Sequence, residues 1–253
     1  PRGTPKTTSG KSHNTRQSVD QAVKSICDIM RRGNMAGAMQ YVPELTWMLF
    51  LRILDEIETQ EQEEAEAVSS AFTPSLFAPY RWQDWAAPDG TLRKAMEASK
   101  LGELFAFVNG RLLPHLKRLE RQPDASVRQK MISEIMSSVE RVRIDTERNF
   151  LDILDRVHDL SHQAVDSTHV FTLSQVYEGL LLKMGEKNND GGQFFTPREV
   201  IRAMVRVINP RIGETVYDPG CGTGGFLAQS YQHIKQAIDQ AGATAEHYTT
   251  LKE

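Results

Sequence analysis

The chain has 253 residues, 40% hydrophobic and 25% charged, with a formal net charge of −3. Those values fit a globular protein with one or two cores, and they exclude a low-complexity chain and a globally basic nucleic-acid-binding domain, though not a local basic patch. The longest apolar run, Leu45 to Leu51 with Thr46 inside it, falls far short of the ~20 residues needed to span a bilayer, so no membrane association is expected. Cys27 and Cys221 cannot form a disulfide framework and read as reduced thiols, which implies a cytoplasmic protein.

Residues 1–16, rich in Pro, Gly, Ser, Thr, Lys and Arg, are expected to form a flexible basic tail. Ser18 can cap a helix from Val19 to about Arg32, with Val23, Ile26, Ile29 and Met30 on one face and Gly33-Asn34 as its stop. Pro43 is expected to start a second helix, apolar on nearly all sides from Leu45 to Leu54 and therefore buried. Its continuation, Asp55 to Glu66, is acidic and reads as a solvated extension. Residues 70–90 hold four Pro and Gly residues with Phe72, Phe77, Tyr80, Trp82 and Trp85, an irregular segment whose aromatics either pin it to the core or form a partner surface. Helices are then expected over Leu92–Lys100, Leu101–Leu119, Ala125–Val139 and Thr146–His158.

Arg111, His115, Lys117, Arg118, Arg121, Arg128 and Lys130 surround a turn near Pro123 and could meet DNA phosphates. Glu120 and Asp124 interrupt that run and no aromatic is interleaved, which favours a solvated helix face. His158 and His162 are four apart, but Asp159-Leu160-Ser161 supplies no glutamate base, so no metal site is expected. Thr172 is expected to begin a further helix with Gln175 as its capping partner and Tyr177, Leu180, Leu181 and Met184 facing inward.

The chemistry concentrates near the C-terminal end. Val216-Tyr217-Asp218 reads as a buried parallel strand running into Pro219-Gly220-Cys221-Gly222-Thr223-Gly224-Gly225, a glycine-rich turn, and then an apolar helix. A nucleoside triphosphate loop needs Gly-Lys-Ser/Thr after the turn, and Phe226 stands there instead, where it is expected to pack beneath the turn. A dinucleotide turn keeps acids away from the pyrophosphate, so Asp218 disfavours a nicotinamide dehydrogenase. S-adenosylmethionine carries an ammonium and a sulfonium but no phosphate, and a carboxylate beside it is favourable. Asp218 and the glycines Gly220, Gly222 and Gly224 therefore point to that methyl donor. Upstream, Thr196, Pro197 and Glu199 are expected to start a helix as cap, first residue and capping-box partner, while Phe194 and Phe195 beside Gly191-Gly192 suit a pocket wall.

Two segments, Gly192-Gln193-Phe194-Phe195-Thr196-Pro197 and Asp218-Pro219-Gly220-Cys221-Gly222-Thr223-Gly224-Gly225-Phe226-Leu227, together resemble the modification subunits of type I restriction–modification systems. The segment Tyr41 to Glu56 is similar to that family's helical N-terminal domain. The resemblance implies methyl transfer from S-adenosyl-L-methionine to the N6 amino group of adenine in DNA. It implies that Phe194, Phe195, Thr196 and Pro197 border the cofactor's methionine end, and that Asp218 with Gly220, Gly222, Thr223 and Gly224 holds the methionine amino and carboxylate groups. Implied partners are DNA, a sequence-specificity subunit, a restriction subunit and a second modification subunit.

Such enzymes hold a flipped adenine with an Asn/Asp-Pro-Pro-aromatic tetrad, which this sequence lacks. Its Asn209-Pro210 continues with Arg211-Ile212 and reads as a turn after a helix, leaving the catalytic residues unknown. Glu246 and Glu253, the acids in the window for a ribose clamp, are weak candidates. The expected architecture is a tail (1–16), a mostly α N-terminal domain (17–165) and the beginning of an α/β, Rossmann-like, doubly wound methyltransferase domain (166–253). That last domain is expected to be truncated and inactive by itself. The alternative takes the helical region as an assembly module that docks a specificity subunit and DNA without catalysis of its own.

Overall fold

The computed structural model describes residues 16–33, 35, 38–160, 196–222 and 224–242, together with 244, 247, 250 and 251. The chain divides into two compact units, residues 1–166 with 171–180, and residues 167–170 with 181–253. The helix expected from Thr172 lies outside the described residues, as does His162.

The first unit is helical. Helix α1 (Arg16–Arg32) begins before Ser18, which sits inside it rather than capping it, and Gly33 ends it by donating to the carbonyls of Ile29 and Met30. Helix α2 (Ala38–Ala67) is about 45 Å long at 1.5 Å per residue and carries Pro43 in its second turn, not at its start. So near the N-terminus a proline forfeits a single intrahelical hydrogen bond, which the burial that follows can offset. Leu45, Trp47, Met48, Leu49, Leu51 and Leu54 are buried, each contributing about 1.5–3 kcal/mol if fully removed from water.

The remaining helices close around that segment. Short helices α3 (Trp82–Trp85), α4 (Thr91–Glu97) and α5 (Glu103–Phe107) lead into a π-helical turn, Val108–Leu112, and helix α6 (Leu113–Leu116). The single helix expected over Leu101–Leu119 is thus broken: Pro114 has no N–H for the Gly110 carbonyl, and the turn widens just ahead of it. Helices α7 (Val127–Ser137) and α8 (Glu147–His158) begin at serviceable caps, Ser126 accepting from the Gln129 N–H at 3.1 Å and Thr146 from the Asn149 N–H at 3.2 Å. Helix α8 packs on both α1 and α2.

The aromatics of residues 70–90 chiefly pin that segment to the core. Trp82 and Trp85 are fully buried, with Trp85 stacked on Trp47 at 6.4 Å and edge-on to Trp82 at 5.6 Å, while Tyr80 stacks on His115 at 3.8 Å. Phe77 alone of the large aromatics there is well exposed.

The acidic end of α2 is only partly a solvated extension. Glu63, Glu64 and Glu66 are exposed, but Glu58 is buried and accepts from the Ser75 N–H at 2.9 Å. Arg128 grips Glu61 through two hydrogen bonds of 2.7 and 2.8 Å and reaches Glu58 at 3.3 Å, which holds the Glu61 carboxyl below its usual range. Arg128 therefore leaves the basic region around Pro123 for an internal role, and Arg111 lies over the Phe107 ring at 5.4 Å.

Candidate cofactor site

The second unit supplies helices α9 (Arg198–Ile208) and α10 (Gly225–Ala241), and the segment between them carries the glycine turn. On α9, Ile201 and Val205 stand one turn apart and are buried, as are Ile234 and Ile238 on α10, and the two helices pack together. A Cβ at Gly225 would stand 2.8 Å from Arg198 Nη1 and 3.0 Å from Ile201 Cδ1, so the first turns of the two helices touch. Farther along, His233 Nε2 donates to Asn209 Oδ1 at 2.8 Å, where Asn209 ends α9 in the left-handed conformation at φ 52°. Both contacts together make the helices parallel, with their N-termini at one end.

That shared end gathers the residues singled out from the sequence. Thr196 and Pro197 are exposed and immediately precede Arg198. Helix α9 begins at Arg198 with Pro197 in the cap position, one residue later than expected, and its first turn closes through Val200 and Ile201 N–H groups on the Pro197 carbonyl. A proline's rigid φ suits either position, so a shift of one residue carries little energy. Asp218 is half-buried, and its Oδ1 accepts from the Gly220 N–H at 3.0 Å; no hydrogen bond to Oδ2 occurs among the described residues. The turn closes with the Gly224 N–H on the Cys221 carbonyl at 2.7 Å. Gly222 at φ 51° and Gly224 at φ 73° are left-handed, which would cost an L side chain about 1–2 kcal/mol each. Nothing within 4 Å would meet a Cβ at Gly220, so packing does not account for that glycine. Phe194, Phe195, Thr223, Glu246 and Glu253 lie outside the described residues.

The expected buried strand is not formed. No strand occurs among the described residues, residues 214–218 are unpaired, and Tyr217 is 83% exposed. An extended segment becomes a strand only when a neighbour accepts and donates its backbone hydrogen bonds, and no strand pairs with it among the described residues. Phe226 is half-buried in the first turn of α10.

Chemically, the site pairs a carboxylate with a helix end. Gly224 caps α10 without a side chain, so the first N–H groups of that helix carry no side-chain acceptor from their cap and present partial positive charge. Asp218 supplies a negative charge at the far side of the same turn. A ligand bearing both an ammonium and a carboxylate matches that arrangement. Sequence reasoning missed Gly225, whose role is the close approach of α9; the doubled Gly224-Gly225 was the available signal.

Other sequence candidates lie elsewhere. Cys27 is buried and Cys221 exposed, both as free thiols. His158 accepts from Trp82 Nε1 at 3.2 Å, and among the described residues no three His, Cys, Asp or Glu could hold a metal ion. No helix among the described residues is long and apolar enough to cross a membrane.

Comparison with known proteins identifies the family of both units. Residues 19–157 match the HsdM N-terminal domain and residues 168–249 match the N-6 DNA Methylase family. The chain is 32% identical over 237 residues to the type I restriction enzyme EcoEI methylase subunit of Escherichia coli, covering 93% of this chain and 45% of that protein. It superposes with a TM-score of 0.74 at 32% identity on a modification subunit of a type I restriction enzyme from Vibrio vulnificus YJ016, covering 97% of this chain and 50% of the other. A chain from a structure concerned with complex assembly and conformational transition of the type I R-M system gives a TM-score of 0.62 at 35% identity, covering 94% and 44%. The chain thus spans about half the length of these relatives or less. With the helical unit and the glycine-turn unit each matched to its own model, the chain belongs to the family of modification (methylase) subunits of type I restriction–modification systems.

Proposed function

We propose that the protein to which this chain belongs transfers a methyl group from S-adenosyl-L-methionine to the N6 amino group of adenine in DNA. The observation that carries this reading is the convergence of Asp218, the left-handed glycines and the parallel N-termini of α9 and α10 at one end of the second unit. In this reading Asp218 holds the methionine ammonium, and the backbone of Gly220, Gly222, Thr223 and Gly224 at the α10 N-terminus holds the carboxylate. Phe194, Phe195, Thr196 and Pro197 border the methionine end. The bound cofactor supplies an electrophilic methyl on its sulfonium. Residues 166–253 then form the beginning of an α/β, Rossmann-like methyltransferase domain, with 17–165 as the helical domain. The protein works in the cytoplasm, where its DNA is.

Calorimetry of the full-length subunit with S-adenosylmethionine tests the site. Asp218→Ala is expected to weaken binding by about 1–2 kcal/mol, roughly five- to thirty-fold, the scale of a partly screened charge pair. Unchanged affinity would remove Asp218 from the site.

A second role belongs to the helical unit. It has a core of its own, built on Trp47, Trp82, Trp85 and Phe150, and it matches a family model separate from the methylase one. We assign it to docking of the specificity subunit, with the restriction subunit and a second modification subunit completing the assembly. Deleting residues 17–165 from the full-length subunit is expected to abolish co-purification with the specificity subunit; retained assembly would sink the assignment.

A further inference from the structure

Gly225 is the first helical residue of α10 and needs no left-handed backbone, since among the glycines of that turn only Gly222 and Gly224 have a positive φ. Its missing Cβ has another use. The place that atom would take lies 2.8 Å from Nη1 and 3.5 Å from Cζ of Arg198, so the guanidinium sits in a notch against the first turn of α10. Ile201 Cδ1 fills the rest of the notch at 3.0 Å, which fixes the helix that carries Arg198 beside the glycine turn.

By itself that seat is electrostatically unfavourable. Arg198 opens α9 and the notch belongs to the opening turn of α10, so a full positive charge stands at two helix N-termini that each carry about half a unit of the same sign. No acidic residue occurs in the first turn of α10, Glu199 in the first turn of α9 is exposed, and Asp218 Oδ1 accepts from the Gly220 N–H. An anion between the guanidinium and the α10 N–H groups turns that repulsion into attraction. A guanidinium carries five N–H donors in a planar fork, enough to hold a protein neighbour and still present two to a carboxylate. Arg198 is half-buried, so such a pair is screened less than one on an open surface.

We propose that Arg198 binds the carboxylate of the cofactor's methionine end, while Asp218 holds its ammonium. The inference rests on the S-adenosylmethionine reading above and adds to it a cationic side chain from a second helix. The amino-acid group is then recognised as a zwitterion by two opposite charges, with the backbone of the glycine turn between them.

The test uses the full-length subunit and two ligands measured by competition calorimetry: S-adenosylmethionine, and its decarboxylated form, which keeps the sulfonium and the ammonium but lacks the carboxylate. Arg198→Met is expected to weaken S-adenosylmethionine about tenfold, the lower end for a hydrogen bond to a charged group, and to leave the decarboxylated compound within about twofold. Arg198→Lys keeps the charge without the fork and is expected to recover part of the loss. Asp218→Ala provides the contrast, because it should weaken both compounds. Unchanged S-adenosylmethionine affinity in Arg198→Met overturns the proposal. So does an equal loss of both compounds, which would make Arg198 a packing residue of the α9–α10 contact. If Arg198→Met does not fold, the ratio of the two affinities is read in Arg198→Lys, where an unchanged ratio overturns the proposal equally. If wild type binds neither compound, or Asp218→Ala alters neither, the cofactor reading itself fails, and the two failures are distinguishable.

Discussion

Arg93 offers the sharpest test of what holds the helical unit together. It is 4% exposed, and its guanidinium donates to Glu97 at 2.7 Å and to the Ala86 carbonyl at 2.6 Å and stands in an ion pair with Asp155 at 2.6 Å, tying α4 to α8 and to the end of α3. Arg93→Met keeps the aliphatic stem and removes the fork. Glu97 and Asp155 have side chains 44% exposed, although Asp155 Oδ1 itself is buried, so each pair contributes about 1 kcal/mol. Ala86 is fully buried, and its orphaned carbonyl costs about 1–3 kcal/mol. Relief of the guanidinium's own burial offsets part of the loss, leaving a net destabilisation of about 2 kcal/mol. Urea denaturation followed by tryptophan fluorescence reads this unit selectively, because Trp47, Trp82 and Trp85 are the only tryptophans and all lie in it. The midpoint should fall with m unchanged. A loss under about 0.5 kcal/mol, or a gain, would show that the cluster is held for geometry rather than stability.

Asp55 predicts a pH dependence of the same unit. Burial pushes its carboxyl up to about 6 from 3.8, against the Gln83 backbone hydrogen bond and Arg52. The folded state then binds more protons than the unfolded one between those values, so this group lowers stability as pH rises from about 4 to 6, by up to about 3 kcal/mol. Asp55→Asn should flatten that part of the profile in urea titrations at pH 4 and pH 7; a parallel profile would remove the cause. Gly225→Val should loosen the α9–α10 contact, because a branched side chain meets both Arg198 and Ile201 there; faster amide exchange in α10 checks it. Gly224→Ala should weaken S-adenosylmethionine binding and cost about 1–2 kcal/mol through its left-handed φ, while Gly220→Ala should cost the fold little.

Apolar periodicity made much of the helical unit legible in advance, while the starts expected at Ser18 and Pro43 fell inside their helices. The apolar stretch of α2, the Gly33 stop and the helix over Thr146–His158 rest on local signals whose physics is complete within a few residues. Asp218 and the left-handed Gly222 and Gly224 were equally visible, because glycine and a short acid leave few alternative readings beside an apolar stretch. Other features needed partners far along the chain. Whether Val216-Tyr217 becomes a strand depends on a neighbouring backbone; whether Glu58 is solvated depends on Arg128, seventy residues away. The need for glycine at Gly225 arises only because α9 crosses it, and Arg93 is buried because α8 brings Asp155 to it. Local sequence determined which segments are helical and which faces turn inward; tertiary packing alone decided which polar groups lost water, since desolvation is set by neighbours that sequence spacing does not bring together.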